Sequence, residues 1–148
     1  MRYLVDTNVL LRWSAAGDPR YAECVGAVDD LTARGIDVCV CAQVLIEYWA
    51  ISTRPEEVNG LGLSPSDVEA RLTQVDRIFT LLSEPPDIAR RWRELARMYG
   101  VSGKESHDAR IVALMLTHNV THLLTLNGGD FARYQDITPL TPSDVLSR

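Results

Sequence analysis

Residues 2–11 read RYLVDTNVLL, a run of strand-forming residues that stops at one acid and resumes as apolar residues at helical spacing up to Trp13. The reading is a buried strand over residues 2–5, a turn at Asp6 and a helix over residues 8–13. An acid at the end of a buried strand has two uses. It caps the helix that follows through a short Asp-Thr-Asn turn, or it faces the crevice beyond the strand ends where ligands of open α/β sheets bind.

The same alternation continues outward. Asp18 and Pro19 mark a helix start and Gly35 a stop, which predicts a helix over residues 19–34. DVCVC at 37–41 predicts a second strand, and residues 42–53 a helix ending before Pro55. After a Gly-containing loop at 59–64, Val68, Leu72, Val75, Ile78 and Phe79 line one side of a further helix. Residues 79–82 either extend it or form a short strand. A helix over 86–99 carries Ile88, Trp92, Leu95 and Met98 as its apolar stripe with Gly100 just beyond it, and another spans 106–118 with Asn119 as its stop. Strands follow at 122–125 and 137–140, separated by the chain break Asn127-Gly128-Gly129. Strands alternating with helices of this length predict a parallel α/β sheet with right-handed crossovers and helices on both faces.

The chain has 148 residues, 46% of them hydrophobic and 24% charged, which fits one globular domain. With a net charge of −5 it has no overall positive field to attract a polyanion. A local one is available: Arg90, Arg91, Arg93 and Arg97 cluster in one helix, with Lys104, Ser106 and Arg110 following, and these side chains either contact phosphate or form a solvated, ion-paired face. Cys24, Cys39 and Cys41 lack metal-ligand spacing and read as small core residues. No apolar h-region opens the chain and no run of about 18 apolar residues occurs, so a cytoplasmic location with no membrane span is expected.

Three further acids stand out. Glu47 is the one ionisable group in VLIEYW, so it is either buried and compensated by a cation or placed on a narrow polar stripe. Asp108 lies in the first turn of its helix, where the dipole favours the ionised form. Asp130 follows a Gly-Gly turn and either caps a short helix or hangs into the crevice at the strand ends.

Taken together, LVDTNVLL, AQVLIEYW, SHDARIVAL and LLTLNGGDF resemble, in order and spacing, the four acidic motifs of PIN-domain nucleases, particularly VapC-type toxins of bacterial toxin–antitoxin pairs. The resemblance spans nearly the whole chain and implies a three-layer α/β/α PIN-like fold. It places the family's four acids at Asp6, Glu47, Asp108 and Asp130, with Thr7, Asn8 and Thr125 as polar support. It also implies Mg²⁺ or Mn²⁺, hydrolysis of RNA to 5′-phosphate and 3′-hydroxyl ends, a VapB-like antitoxin partner and a homodimer. Asp6 and Asp108 are then the principal metal ligands, Glu47 a ligand or orienter of the attacking water, and Asp130 a ligand of a second ion or of metal-bound water. One departure is Asn127, neutral where some members carry an Asp, which lowers the charge available to a second ion. Trp13, Tyr48 and Trp49 contribute to a partner groove or to the core.

Other enzyme classes fit less well. A phosphatase of the haloacid dehalogenase type needs an Asp two residues after the first, and Asn8 stands there. No Gly-Lys-Thr phosphate loop or dinucleotide glycine fingerprint occurs. His107 is adjacent to Asp108 but would point about 100° away from it on a helix. A non-enzymatic alternative is a PIN-like scaffold that binds RNA or protein.

Overall fold

In the computed structural model, which describes all residues from 1 to 148, β1 (Arg2–Val5) is the centre of the molecule. Its last three residues are buried, as a strand covered on both faces requires. Then follow α1 (Thr7–Trp13), α2 (Tyr21–Ala33), β2 (Asp37–Val40), α3 (Ala42–Thr53), α4 (Pro65–Ile78), β3 (Thr80–Leu81), α5 (Ile88–Met98), α6 (Glu105–Thr117), β4 (His122–Leu124), β5 (Thr138–Leu140) and α7 (Pro142–Leu146). Short 3-10 turns occupy Glu56–Val58 and Gly128–Phe131.

All pairings are parallel, in the order β3-β2-β1-β4-β5. The chain moves outward from β1 through β2 to β3, then crosses back to β4 on the other side of β1. Right-handed crossovers therefore put the helices of the two runs on opposite faces. The main helix contacts divide accordingly: α1 packs on α2 and α3, α3 on α4, and α2 on α7, whereas α5 packs on α6. The reversal of strand order opens a crevice beyond the carboxyl ends of β1 and β4. Asp6 and Thr125 are the next residues after those two strands.

Several local expectations change. Helix α2 begins at Tyr21, not at residue 19, because Asp18 is used in a turn: its Oδ1 accepts from Arg20 N at 2.8 Å and its carbonyl from Tyr21 N at 3.0 Å. Ile78 and Met98 are 48% and 75% exposed, so neither belongs to the buried stripe of its helix; each is in the last turn, where the helix projects past the core. Residues 80 and 81 form a short edge strand, settling the open boundary before it. Helix α7, which the hydrophobic pattern does not announce, starts at a reciprocal capping box between Thr141 and Asp144 and packs Val145 into the core.

The loop after α3 folds back along that helix, with Leu61 N donating to Ile51 O, Gly62 N to Arg54 O and Leu63 N to Ser52 O. A Cβ at Gly60 would stand 1.9 Å from the Arg54 carbonyl oxygen, so only glycine fits there. This close return brings Asn59 beside Arg54 at the mouth of the crevice.

Candidate active site

Asp6 is both a cap and a crevice residue. Its backbone N donates to Leu124 O at 2.9 Å, extending the β1–β4 ladder by one bond. Its Oδ1 accepts from Thr7 N at 2.8 Å, while Oδ2 accepts from Thr125 Oγ1 at 2.8 Å and Asn8 Nδ2 at 3.3 Å. Asp6 as a whole is 8% exposed. Burial raises its pKa above the usual 3.8; the bonds from Thr125 and Thr7 oppose this, and the nearby charges of Glu47 and Asp130 add to it.

Thr125 joins the two turns that frame the crevice. Its hydroxyl donates to Asp6 and accepts from Asn127 N at 3.1 Å and Asn8 Nδ2 at 3.3 Å, while Asn8 Oδ1 accepts from Leu126 N at 3.0 Å. Thr125→Val keeps the shape but leaves these groups without their partner. We expect a stability loss of about 1–3 kcal/mol, measured by urea denaturation. A loss below about 0.5 kcal/mol would show that the crossed turns do not depend on this hydroxyl.

Glu47 is placed by both of its oxygens, Oε2 accepting from Thr7 Oγ1 at 2.8 Å and Oε1 from Gln43 Nε2 at 3.0 Å. The apolar surroundings seen in the sequence separate on the helix. Val44 and Tyr48 turn into the core, Ile46 points outward, and the half-buried Glu47 shares a polar stripe with the buried Gln43. The charge is thus neither enclosed in apolar packing nor freely solvated.

Asp108 projects from the first turn of α6, half-buried. Burial, followed by the charges of Asp6, Asp130, Glu47 and Glu105, pushes its pKa up to about 6. Asp130 is exposed on the 3-10 turn Gly128–Phe131, held by its backbone N donating to Asn127 O at 3.1 Å. All four acids line one cavity of about 370 Å³, together with Thr7, Asn8 and Asn127.

The raised Asp108 pKa has a direct consequence for stability. A carboxyl that holds its proton more tightly folded than unfolded destabilises the fold when ionised. The metal-free protein therefore loses stability as pH rises from about 4 through about 6. We expect Asp108→Asn to melt higher than the parent at pH 8 in chelator, with the gap closing by about pH 4. An equal gap at both pH values would show that the charge is not its cause.

Two functional candidates escape a reading based on charge clusters. Arg12 and Arg54 both line the acid cavity, each donating to a backbone carbonyl, of Asn8 at 2.9 Å and Asn59 at 3.1 Å respectively. Helical spacing carries the signal: Arg12 is one turn after Asn8, and Gln43, Glu47 and Arg54 fall on one stripe. The arginines of α5 do not line this cavity. Arg90 pairs with Asp87 and Glu94, and Arg91 with Asp87, which is the ion-paired helix face. Lys104, Ser106 and His107 also lie outside it, and Arg110 is occupied by Gln43 and Glu84. Tyr48 and the three cysteines are core residues; Trp13 packs edge-on against Phe79 and Trp49 is partly buried.

The lining side chains able to ligate a cation would do so through oxygen, as four carboxylates, the amides of Asn8, Asn59 and Asn127 and the Thr7 hydroxyl, with no histidine or cysteine among them. That chemistry suits a hard divalent cation such as Mg²⁺ or Mn²⁺. No three of these acids converge on one point.

A comparison with solved structures finds the same fold in toxin–antitoxin proteins. DNA-bound VapBC from Salmonella typhimurium superposes with a TM-score of 0.69 at 17% identity, covering 96% of this chain and 98% of that one. A toxin–antitoxin complex from Klebsiella pneumoniae gives 0.63 at 24% identity, covering 95% and 97%. VapC20 of Mycobacterium tuberculosis, described as a sarcin–ricin loop cleaving toxin, gives 0.63 at 18% identity, covering 89% and 95%. Comparison with curated protein sequences finds no match. The model of the PIN domain family matches residues 3–137, nearly the whole length and all four acidic segments, and the chain belongs to the PIN domain family.

Proposed function

We propose that this protein is a metal-dependent endoribonuclease and the toxin of a toxin–antitoxin pair. The observation that carries the reading is one cavity, at the strand-order reversal, lined by four acids from four separate segments. Membership of the PIN family supports it, as does the shared fold with toxins in VapBC complexes. A VapB-like antitoxin, a homodimer and a cytoplasmic setting are parts of the same proposal.

Asp6 and Asp108 would hold the cation, with Glu47 and Asp130 completing its surroundings. When bound, Mg²⁺ or Mn²⁺ supplies Lewis acidity toward the phosphate and toward water. The protein's own groups set the geometry. Thr7 and Thr125 fix Asp6, so this carboxylate needs little reorganisation during reaction. Thr7 and Gln43 each give one hydrogen bond to Glu47 and leave its oxygens capacity to orient the attacking water and accept its proton. Asp130 stands at the solvent edge, and the neutral Asn127 beside it lowers the charge there, so one ion is better supported than two. Arg12 and Arg54 supply positive charge at the rim of an otherwise acidic cleft, where RNA phosphates must approach.

The test is cleavage of a mixed RNA pool by purified protein. Cutting should stop with chelator, return with Mn²⁺ or Mg²⁺, and leave 5′-phosphate ends. Cleavage that persists in excess chelator would overturn the metal-dependent reading. Metal-independent RNA or peptide binding without cleavage would support the scaffold alternative.

A further inference from the structure

A chain of side-chain hydrogen bonds runs from the acid cavity to the protein surface behind Glu47. Gln43 lies one turn before Glu47 on α3 and is 8% exposed. Its Nε2 donates to Glu47 Oε1 at 3.0 Å and to the His107 carbonyl at 2.8 Å. One amide thus ties the second acid's helix to the first turn of α6, one residue from Asp108. Its Oε1 accepts from Arg110 Nη1 at 3.0 Å, and Arg110 Nη2 donates to Glu84 Oε2 at 2.9 Å.

The chemistry of the four groups permits only one orientation of this amide. A guanidinium donates and never accepts, while a carboxylate and a carbonyl accept. Turning the Gln43 amide over would set its nitrogen against Arg110 and its oxygen against Glu47 and His107 O, losing all three bonds. Glu47, the His107 carbonyl and Arg110 thus agree on one orientation of the Gln43 amide, Arg110 holding it from the side opposite Glu47. Glu84 holds the guanidinium from its other side. An ion pair as exposed as Arg110–Glu84, with side chains 35% and 31% accessible, adds little to stability.

We propose that Gln43 and Arg110 are positioning residues that fix the Glu47 carboxylate in the acid cavity, with Arg110 acting through the Gln43 amide and not on the substrate phosphate. This rests on the nuclease reading above. Outer partners of metal-site carboxylates commonly change metal affinity or activity by about 10- to 100-fold when removed. Gln43 occupies that place for Glu47, and Arg110 for Gln43.

The experiment measures Mn²⁺ affinity of the metal-free protein by calorimetry, kcat and KM on RNA, and melting temperature. It compares Gln43→Leu, Arg110→Met and the double variant with the parent, with Asp6→Asn as control. Gln43→Leu should weaken Mn²⁺ binding and lower kcat by about tenfold or more, leaving KM within about twofold. Arg110→Met should do the same to a smaller degree, and the double variant should be no worse than Gln43→Leu, because the two act in one chain. A raised KM for Arg110→Met with normal kcat and Mn²⁺ affinity would identify a phosphate contact and overturn the proposal. So would a lowered melting temperature with both Mn²⁺ affinity and kcat intact, which marks a purely structural role. If Gln43→Leu does not fold, Arg110→Met, on the partly exposed end of the chain, carries the same readouts. Parental Mn²⁺ binding and cleavage by Asp6→Asn would show that metal binding and cleavage do not depend on the acid cavity, and would remove the site on which this proposal rests. Loss of both in Asp6→Asn, with neither changed in the Gln43 and Arg110 variants, would remove only the positioning role.

Discussion

Asp6→Asn should lower RNA cleavage by on the order of a thousandfold while leaving a folded protein. Stabilisation of transition-state charge by a bound cation is worth several kcal/mol, and each 1.36 kcal/mol is about tenfold in rate. Asp6 is the most buried of the four acids and the one held by the most hydrogen bonds. Two effects of the substitution on folding oppose each other. An amide has one acceptor atom where the carboxylate has two, so either Thr7 N or the pair formed by Thr125 and Asn8 loses a partner. Against this, a buried charge whose pKa is raised by burial is removed, which favours the fold at neutral pH. The melting temperature should therefore move little while activity collapses. The checks are single-turnover cleavage at saturating Mn²⁺ and a thermal melt of the same preparation. A variant that retains more than about a tenth of parental activity would show that Asp6 is a cap and nothing more.

Phe131→Ala should cost about 3–5 kcal/mol of stability, the range for emptying a buried aromatic site. For a chain of this size that corresponds to a melting temperature lower by roughly 10 °C. Phe131 is 1% exposed and belongs to the central core cluster. It closes the 3-10 turn whose preceding residue is Asp130. Asp130 is exposed and has no side-chain hydrogen bond of its own, so its position depends on this anchor. Cleavage should fall as well, at a temperature where the variant is still folded, although no acid has been altered. Melting within about 2 °C of the parent would show that the turn is held by something other than Phe131.

The role of Asp130 shows how differently the four acids can be read. Asp6 and Asp108 are placed by local signals: a strand that ends at an acid and an acid in the first turn of a helix. Both signals are short-range and both appear in the folded chain where the pattern put them. Glu47 is different, because its apolar neighbours leave enclosure and a narrow polar stripe both open, and the helix decides by dividing those neighbours among core, solvent and cavity. Composition counts residues in a window, whereas a helix separates adjacent residues by about 100°. The positive charges leave open whether they face phosphate or form an ion-paired helix face. Four arginines within eight residues of α5 are conspicuous in the sequence, and two of them are tied to carboxylates of Asp87, just before the helix, and Glu94 within it. The cavity is lined by Arg12 and Arg54, forty-two positions apart, which no local cluster reveals.

The sequence by itself determined the alternation of strands and helices, hence the parallel sheet with two covered faces, and through four spaced motifs the family. These are consequences of period, turn chemistry and order along the chain, all carried by neighbouring residues. Only the tertiary structure decided that Thr125 bridges Asp6 and Asn8, that Gln43 stands between Glu47 and Arg110, and that Ile78 and Met98 lie outside the core. Each depends on segments far apart in sequence meeting at fixed distance. Hydrogen bonds and burial act on that distance, which one-dimensional spacing does not contain.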